Sequence, residues 1–386
     1  MKAQAPGPNE RFPAIHSRFT GLPPIAHGMS LPSRAVRRLA LLLPAAFVAL
    51  QPVLAQQAAT RAPAPAAAPQ AQPRYLQAGD ETPWIYRGSD VPQDKEWLFG
   101  EMPNGLRYTV RRNGVPPGQV SIRVRIDAGS LYERDNERGY AHLLEHLLFR
   151  QSKYLGPAQA IPTWQRLGAT FGSDTNAETS PTHTVFKLDL PGVTAAKLDE
   201  SMKLLSGMVR EPVLSKRNVK AEVPIVLAEK RENGGPGERT ADATRETLFA
   251  GQPLATRSPI GTEATLNAAS GRSVSGFYHR WYRPENTVIS VVGDMDPALL
   301  AVQVEKWFAD WRGKGAPVAA PSFGDPAAPA GADPANPVGE TAVLVEPDLP
   351  RNFTFAVLRP WRQVNDTIAY NQGDLRDTLA QALLNR

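Results

Sequence analysis

The sequence predicts an α+β fold, a mixed and mostly antiparallel sheet flanked by helices. Val120, Ile122, Val124 and Ile126 alternate with Ser121, Arg123, Arg125 and Asp127, the period of two that gives a strand one buried face. Leu198, Met202, Leu205, Met208 and Val209 recur instead at helical spacing. The strands look antiparallel and the helices are long, so strict βαβ alternation is absent and an α+β arrangement is expected.

The elements follow in order. A short strand is expected from Leu106 to Arg111, then the alternating strand at 120–126, then an apolar helix from about Tyr140 to Arg150. Extended sequence returns near 170–190, with Phe186, Leu188 and Leu190 on one face. Helices follow around Leu198–Val209 and from about Ser215 to Glu232, where Pro224 removes a backbone donor and should bend the helix. A helix near 273–282, a strand from Thr287 to Val292 and a helix from Pro297 to Trp311 close this region. Farther on, Ala342–Val345 and Phe353–Leu358 read as strands, and a helix begins near Asp366 without a stop signal. That pattern reads as a piece of a longer protein.

The 386 residues carry 43 Lys plus Arg against 38 Asp plus Glu. Residues 1–55 hold six basic side chains and one acidic one, leaving 37 of each sign in the remainder. A nucleic-acid reading therefore fails: no long basic run exists in 75–315. Arg34, Arg37 and Arg38, the apolar run Leu39–Leu50 and the small residues Val53 and Ala55 read as a signal peptide cleaved after Ala55, with Met29 as an alternative start. The apolar run is too short to span a bilayer, so no membrane span is expected after cleavage, and the chain is expected to be exported to the periplasm. Cysteine is absent, which excludes disulfides, thiolate zinc sites, iron–sulfur clusters and a cysteine nucleophile.

Residues 56–74 contain eight Ala, four Pro and four Gln, and residues 316–337 contain eight Ala and six Pro. Such stretches bury too little apolar surface to offset ordering and read as tethers. The expected organisation is a leader at 1–55, a tether and lead-in at 56–94, a catalytic domain at 95–315, a linker at 316–340 and the start of a second domain at 341–386.

The chemistry lies in the first long helix, GYAHLLEHLLFR at 139–150. His142 and His146 stand at i and i+4 on one face and can bind one ion, with Glu145 beside them able to reach an activated water. Two imidazoles and a carboxylate among Leu143, Leu144, Leu147 and Leu148 need partners, and a divalent metal satisfies all three. This His-x-x-Glu-His order inverts the commoner zinc-peptidase motif. A third ligand should be a carboxylate on another helix. In AEVPIVLAEKRE, Glu222 and Glu229 lie seven residues apart and share a face, so one can bind metal while the other bonds to a ligand histidine. His183 reads as an edge residue rather than a ligand.

With its acidic lead-in, LYERDNERGYAHLLEHLLFR resembles the pitrilysin/insulinase family of zinc metallopeptidases, and the resemblance covers roughly 97–315. It implies one zinc per catalytic domain held by His142, His146 and Glu229, with Glu145 as general base and Glu222 supporting a ligand. Glu229 follows His146 by 83 positions, slightly more than is usual in the family. TNAETSPTHTVFKLDLP at 175–191 is similar to the family's substrate-binding edge strand, although Phe186 stands where tyrosine is usual. Asn176 and Ala177 would there contact the substrate backbone. SPIGT at 258–262 and WYRPENTVISVVGD at 281–294 also match and are assigned to the fold. The resemblance implies a zinc endopeptidase acting on peptides or unfolded polypeptides through a metal-activated water. It also implies a second half of a clamshell, in the same longer chain or in a partner subunit. The alternative is a non-catalytic structural or partner subunit of the same fold.

Overall fold

A computed structural model describes residues 71–77, 81–325 and most of 342–384. The expected signal peptide, the 56–70 part of the tether and the 326–340 part of the linker lie outside the described residues.

Alternating sequence becomes alternating burial. Strands β3 (Val120–Ile126), β5 (Thr184–Leu190) and β6 (Thr287–Gly293) each bury every second side chain. With β1 (Trp97–Glu101), β2 (Arg107–Arg112) and β4 (Thr175–Thr179) they form one sheet in the order β1-β2-β6-β3-β5-β4. Only β2 and β6 pair in parallel; the other neighbours are antiparallel. In the register, Val124 faces Phe186 on one side and Ile289 on the other, three apolar residues on one face. Burial of each such side chain is worth about 1.5–3 kcal/mol before the ordering cost.

The helices are α1 (Tyr140–Arg150), α2 (Ala160–Arg166), α3 (Ala195–Arg210), α4 (Lys216–Asn233), α5 (Pro236–Leu248), α6 (Glu263–Asn267), α7 (Gly271–Trp281), α8 (Pro297–Phe308) and α9 (Ile368–Leu384). Helix α1 packs on β4 and β5, α8 packs on β2 and β6, and α4 and α7 pack on α1. This stacking sets α1, which carries His142, Glu145 and His146, against the β5–β4 end of the sheet. Ser215 caps α4 by accepting the N–H of Asn218, and the helix continues through Pro224 to Asn233.

The two ends of the sheet differ. At β1, the lead-in adds another extended segment: Gln77 donates to the Phe99 carbonyl at 2.9 Å, and Glu101 donates to the Tyr75 carbonyl at 3.1 Å. Among the described residues no strand pairs beyond β4.

Two expectations fail. The described residues of 342–345 and 353–358 form no strand, and Val343 and Phe353 are 87% and 88% exposed. β-propensity alone cannot hold a strand whose backbone groups have no neighbour to bond. Helix α8 also stops at Phe308, short of Trp311, where the Asn104 side-chain amide donates to the carbonyls of Phe308, Ala309 and Trp311. Among the described residues no helix is long and apolar enough to cross a membrane.

Candidate metal centre

Helix α1 starts without a capping side chain, because Gly139 holds the N-cap position with φ 91°. Glu133 supplies the missing acceptor. Its buried carboxylate accepts the N–H of Ala141 at 2.7 Å and that of Gly139 at 3.0 Å. Burial pushes the Glu133 carboxyl up to about 8, against the opposing pull of the two N–H groups and Arg257. Gly139 also touches Gly261 (φ 70°), where a Cβ would come within 2.4 Å of the Gly139 Cα. Only glycine at 261 permits the SPIGT loop to lie this close to α1.

From that anchored start, the 3.6-residue period brings His142 and His146 to one face, their rings 4.8 Å apart. Glu229, two turns along α4 from Glu222, meets them. His142 Nε2 lies 3.7 Å from Glu229 Oε1, and His146 Nε2 lies 3.3 Å from Oε2. One donor atom from each of the three residues falls within 4.8 Å of the others. Ligands about 2.0–2.2 Å from a tetrahedral zinc stand roughly 3.3 Å apart, so a small contraction closes the set. Two imidazoles and a carboxylate also form a recognised catalytic zinc donor set. The residues fit the ion.

Burial, helped by the neighbouring His146, pushes His142 down to about 4, leaving a neutral imidazole at ordinary pH. For His146 burial acts downward too, but Glu222, Glu145 and Glu229 outweigh it and raise the value. Glu222 accepts from both sides: Oε1 is 3.1 Å from His146 Nδ1 and Oε2 is 2.8 Å from Arg150 Nη1. Burial would raise the Glu222 carboxyl, but these two partners pull it below its usual range. Glu145 is buried beside the cluster and accepts the Thr179 hydroxyl at 2.5 Å. Burial raises its pKa, with Thr179 and His146 opposing.

A cleft of about 410 Å³ opens over these groups. It is lined by His142, Glu145, His146 and Glu229 together with Asn176, Ala177 and Thr179 of β4 and by Pro259 and Ile260. Asn176, Ala177, His142, Glu145, His146 and Glu229 thus line one cleft, while Glu222 meets His146 at Nδ1. His183 lies apart in the β4–β5 turn, with Nδ1 2.9 Å from Ser180 Oγ. Thr179, Arg150, Glu133 and the Pro259–Ile260 pair escaped the sequence reading. Arg150 had a signal, its i+4 spacing from His146; the others reach the site through tertiary folding.

The family described as insulinase (peptidase family M16) matches residues 109–256, and the family's inactive domain matches residues 270–369. The chain is 35% identical over 206 residues to a probable zinc protease PqqL of Escherichia coli, which covers 53% of this chain and 22% of the relative. It is 30% identical over 230 residues to a zinc protease PQQL-like protein of Arabidopsis thaliana, covering 59% and 24%. The chain thus spans about a quarter or less of the length of these curated relatives. The crystal structure of the first half of the periplasmic protease PqqL from Escherichia coli superposes with a TM-score of 0.58 at 32% identity, covering 61% of this chain and 50% of that one.

Proposed function

Residues 109–256 belong to the insulinase family, peptidase family M16, and from this we propose that the chain is the metal-binding part of a zinc-dependent endopeptidase acting on peptides or unfolded polypeptides. The observation that carries the reading is the convergence of His142, His146 and Glu229 beside the buried Glu145. When bound, zinc would polarise the scissile carbonyl and make water a better nucleophile. Glu145 is the general base. It takes a proton from the attacking water and returns it to the leaving amine, and its raised pKa suits both halves of that transfer. Thr179 holds one Glu145 oxygen, which leaves the other for the water. Glu222 orients His146 from behind.

The substrate backbone lies along β4 as an added strand, touching Asn176 and Ala177. Main-chain pairing accepts varied sequences provided that they are extended. The catalytic domain is assigned to 95–315, an extent supported by the packing of Phe308 and Trp311 into the same core, with 341–386 beginning a second domain. The periplasmic relative of known structure supports export, and its description as a first half supports a clamshell completed by further sequence.

Elemental analysis of the full chain should find one zinc, and chelation should stop cleavage of a quenched-fluorescent peptide library. Glu145→Gln should keep the zinc and lose at least about 100-fold in kcat, the scale of one general base. Retained proteolysis in that variant overturns the assignment. Zinc uptake without cleavage that persists when the completing half is supplied favours the partner-subunit alternative.

A further inference from the structure

Glu222 is gripped from two sides, and the catalytic reading uses only one of them. Its Oε1 meets His146 Nδ1 at 3.1 Å, and its Oε2 accepts from Arg150 Nη1 at 2.8 Å. Arg150 is the last residue of α1, one turn beyond His146 on the same face. The Glu222 side chain is only 8% exposed, whereas that of Arg150 is 31% exposed. A carboxylate's terminal torsion is broad, so a single hydrogen bond leaves it free to swing. A second contact, from a planar guanidinium crossing from the other helix, removes that freedom.

We propose that Arg150 is a positioning residue for the metal centre: it fixes the Glu222 carboxylate so that Glu222 accepts the His146 Nδ1–H and Nε2 is left to face Glu229. The inference rests on the zinc reading above and adds a residue to it. Charge accounting supports the geometry. Three carboxylates, Glu145, Glu222 and Glu229, surround the two imidazoles. A divalent cation together with the Arg150 guanidinium balances them to formal neutrality, which a partly buried cluster favours. Repulsion between Arg150 and the ion acts in the opposite sense, but Glu222 lies between His146 and Arg150 and offsets it.

The test uses the full chain and Zn2+ alone, titrated against a chromophoric chelator. Arg150→Met should weaken zinc binding about tenfold, the lower end of the loss typical for partners of metal-bound histidines. Arg150→Lys, which keeps the charge but not the planar guanidinium, should recover part of it. In a Glu222→Gln background, Arg150→Met should add little, because its target is gone. In the zinc-loaded protein, the His146 Nδ1–H resonance should be sharp in the wild type and broadened by exchange in Arg150→Met. Unchanged or tighter zinc binding in Arg150→Met, or full additivity with Glu222→Gln, overturns the proposal while leaving the zinc site standing. A wild type that takes up no zinc overturns both.

Discussion

His142 and His146 differ by four positions on one helix and by the company each keeps. Burial and the neighbouring imidazole push His142 down to about 4, while three carboxylates raise His146. In the metal-free protein, an NMR titration should therefore find His142 neutral until the pH approaches 4 and His146 titrating above its ordinary 6.5. The sign for stability follows. His142 alone contributes stability that is complete above 6.5 and lost as the pH falls towards about 4, because the unfolded chain then binds the proton more readily. A comparison of metal-free wild type with His142→Asn across that window measures it. At this scale the sequence was most legible: i, i+4 spacing places both rings, and the seven-residue interval places both glutamates. The Thr179 contact with Glu145 was not legible, because it depends on which end of β4 lies over α1.

The position of α1 depends on two backbone devices at its start, the Glu133 carboxylate and the Gly139–Gly261 contact. Glu133→Leu would leave two N–H groups without their acceptor and should cost about 1–3 kcal/mol, read by urea denaturation. Gly261→Ala should destabilise comparably, since it adds a Cβ at a positive φ and within 2.4 Å of the Gly139 backbone. Both variants should also bind zinc more weakly if the phase of α1 sets the alignment of its histidines. Elements with a buried stripe or a capping serine, such as α3 and α4, were readable from sequence. Helix α5 was not, because none of its residues is buried and no apolar stripe marks it. Helix α2 was not, because it is short and holds Pro162. The apolar runs near 343 and 353 misled for the opposite reason, having propensity without a strand to join.

Across the whole molecule, the lead-in is fastened to the far side of the sheet. The buried Glu305 accepts the N–H groups of Arg74 at 2.7 Å and Tyr75 at 2.9 Å, and the Tyr108 hydroxyl at 2.5 Å. Glu305→Ala should release residues 74–77 from β1, seen as faster limited proteolysis of that segment and a lower melting temperature, while zinc content is unchanged. No local pattern announced this clamp, because its partners are about 230 positions apart. With β1 covered, β4 is the sheet edge left free among the described residues, and on the proposed function it would receive the substrate backbone. An edge that reads main chain rather than side chains has no means of telling food from self. The composition of the two Ala/Pro-rich stretches answers that hazard. Proline has no N–H to give to a ladder, and the stretches 56–74 and 316–337 carry four and six of them, which would make these sequences poor guests for such an edge.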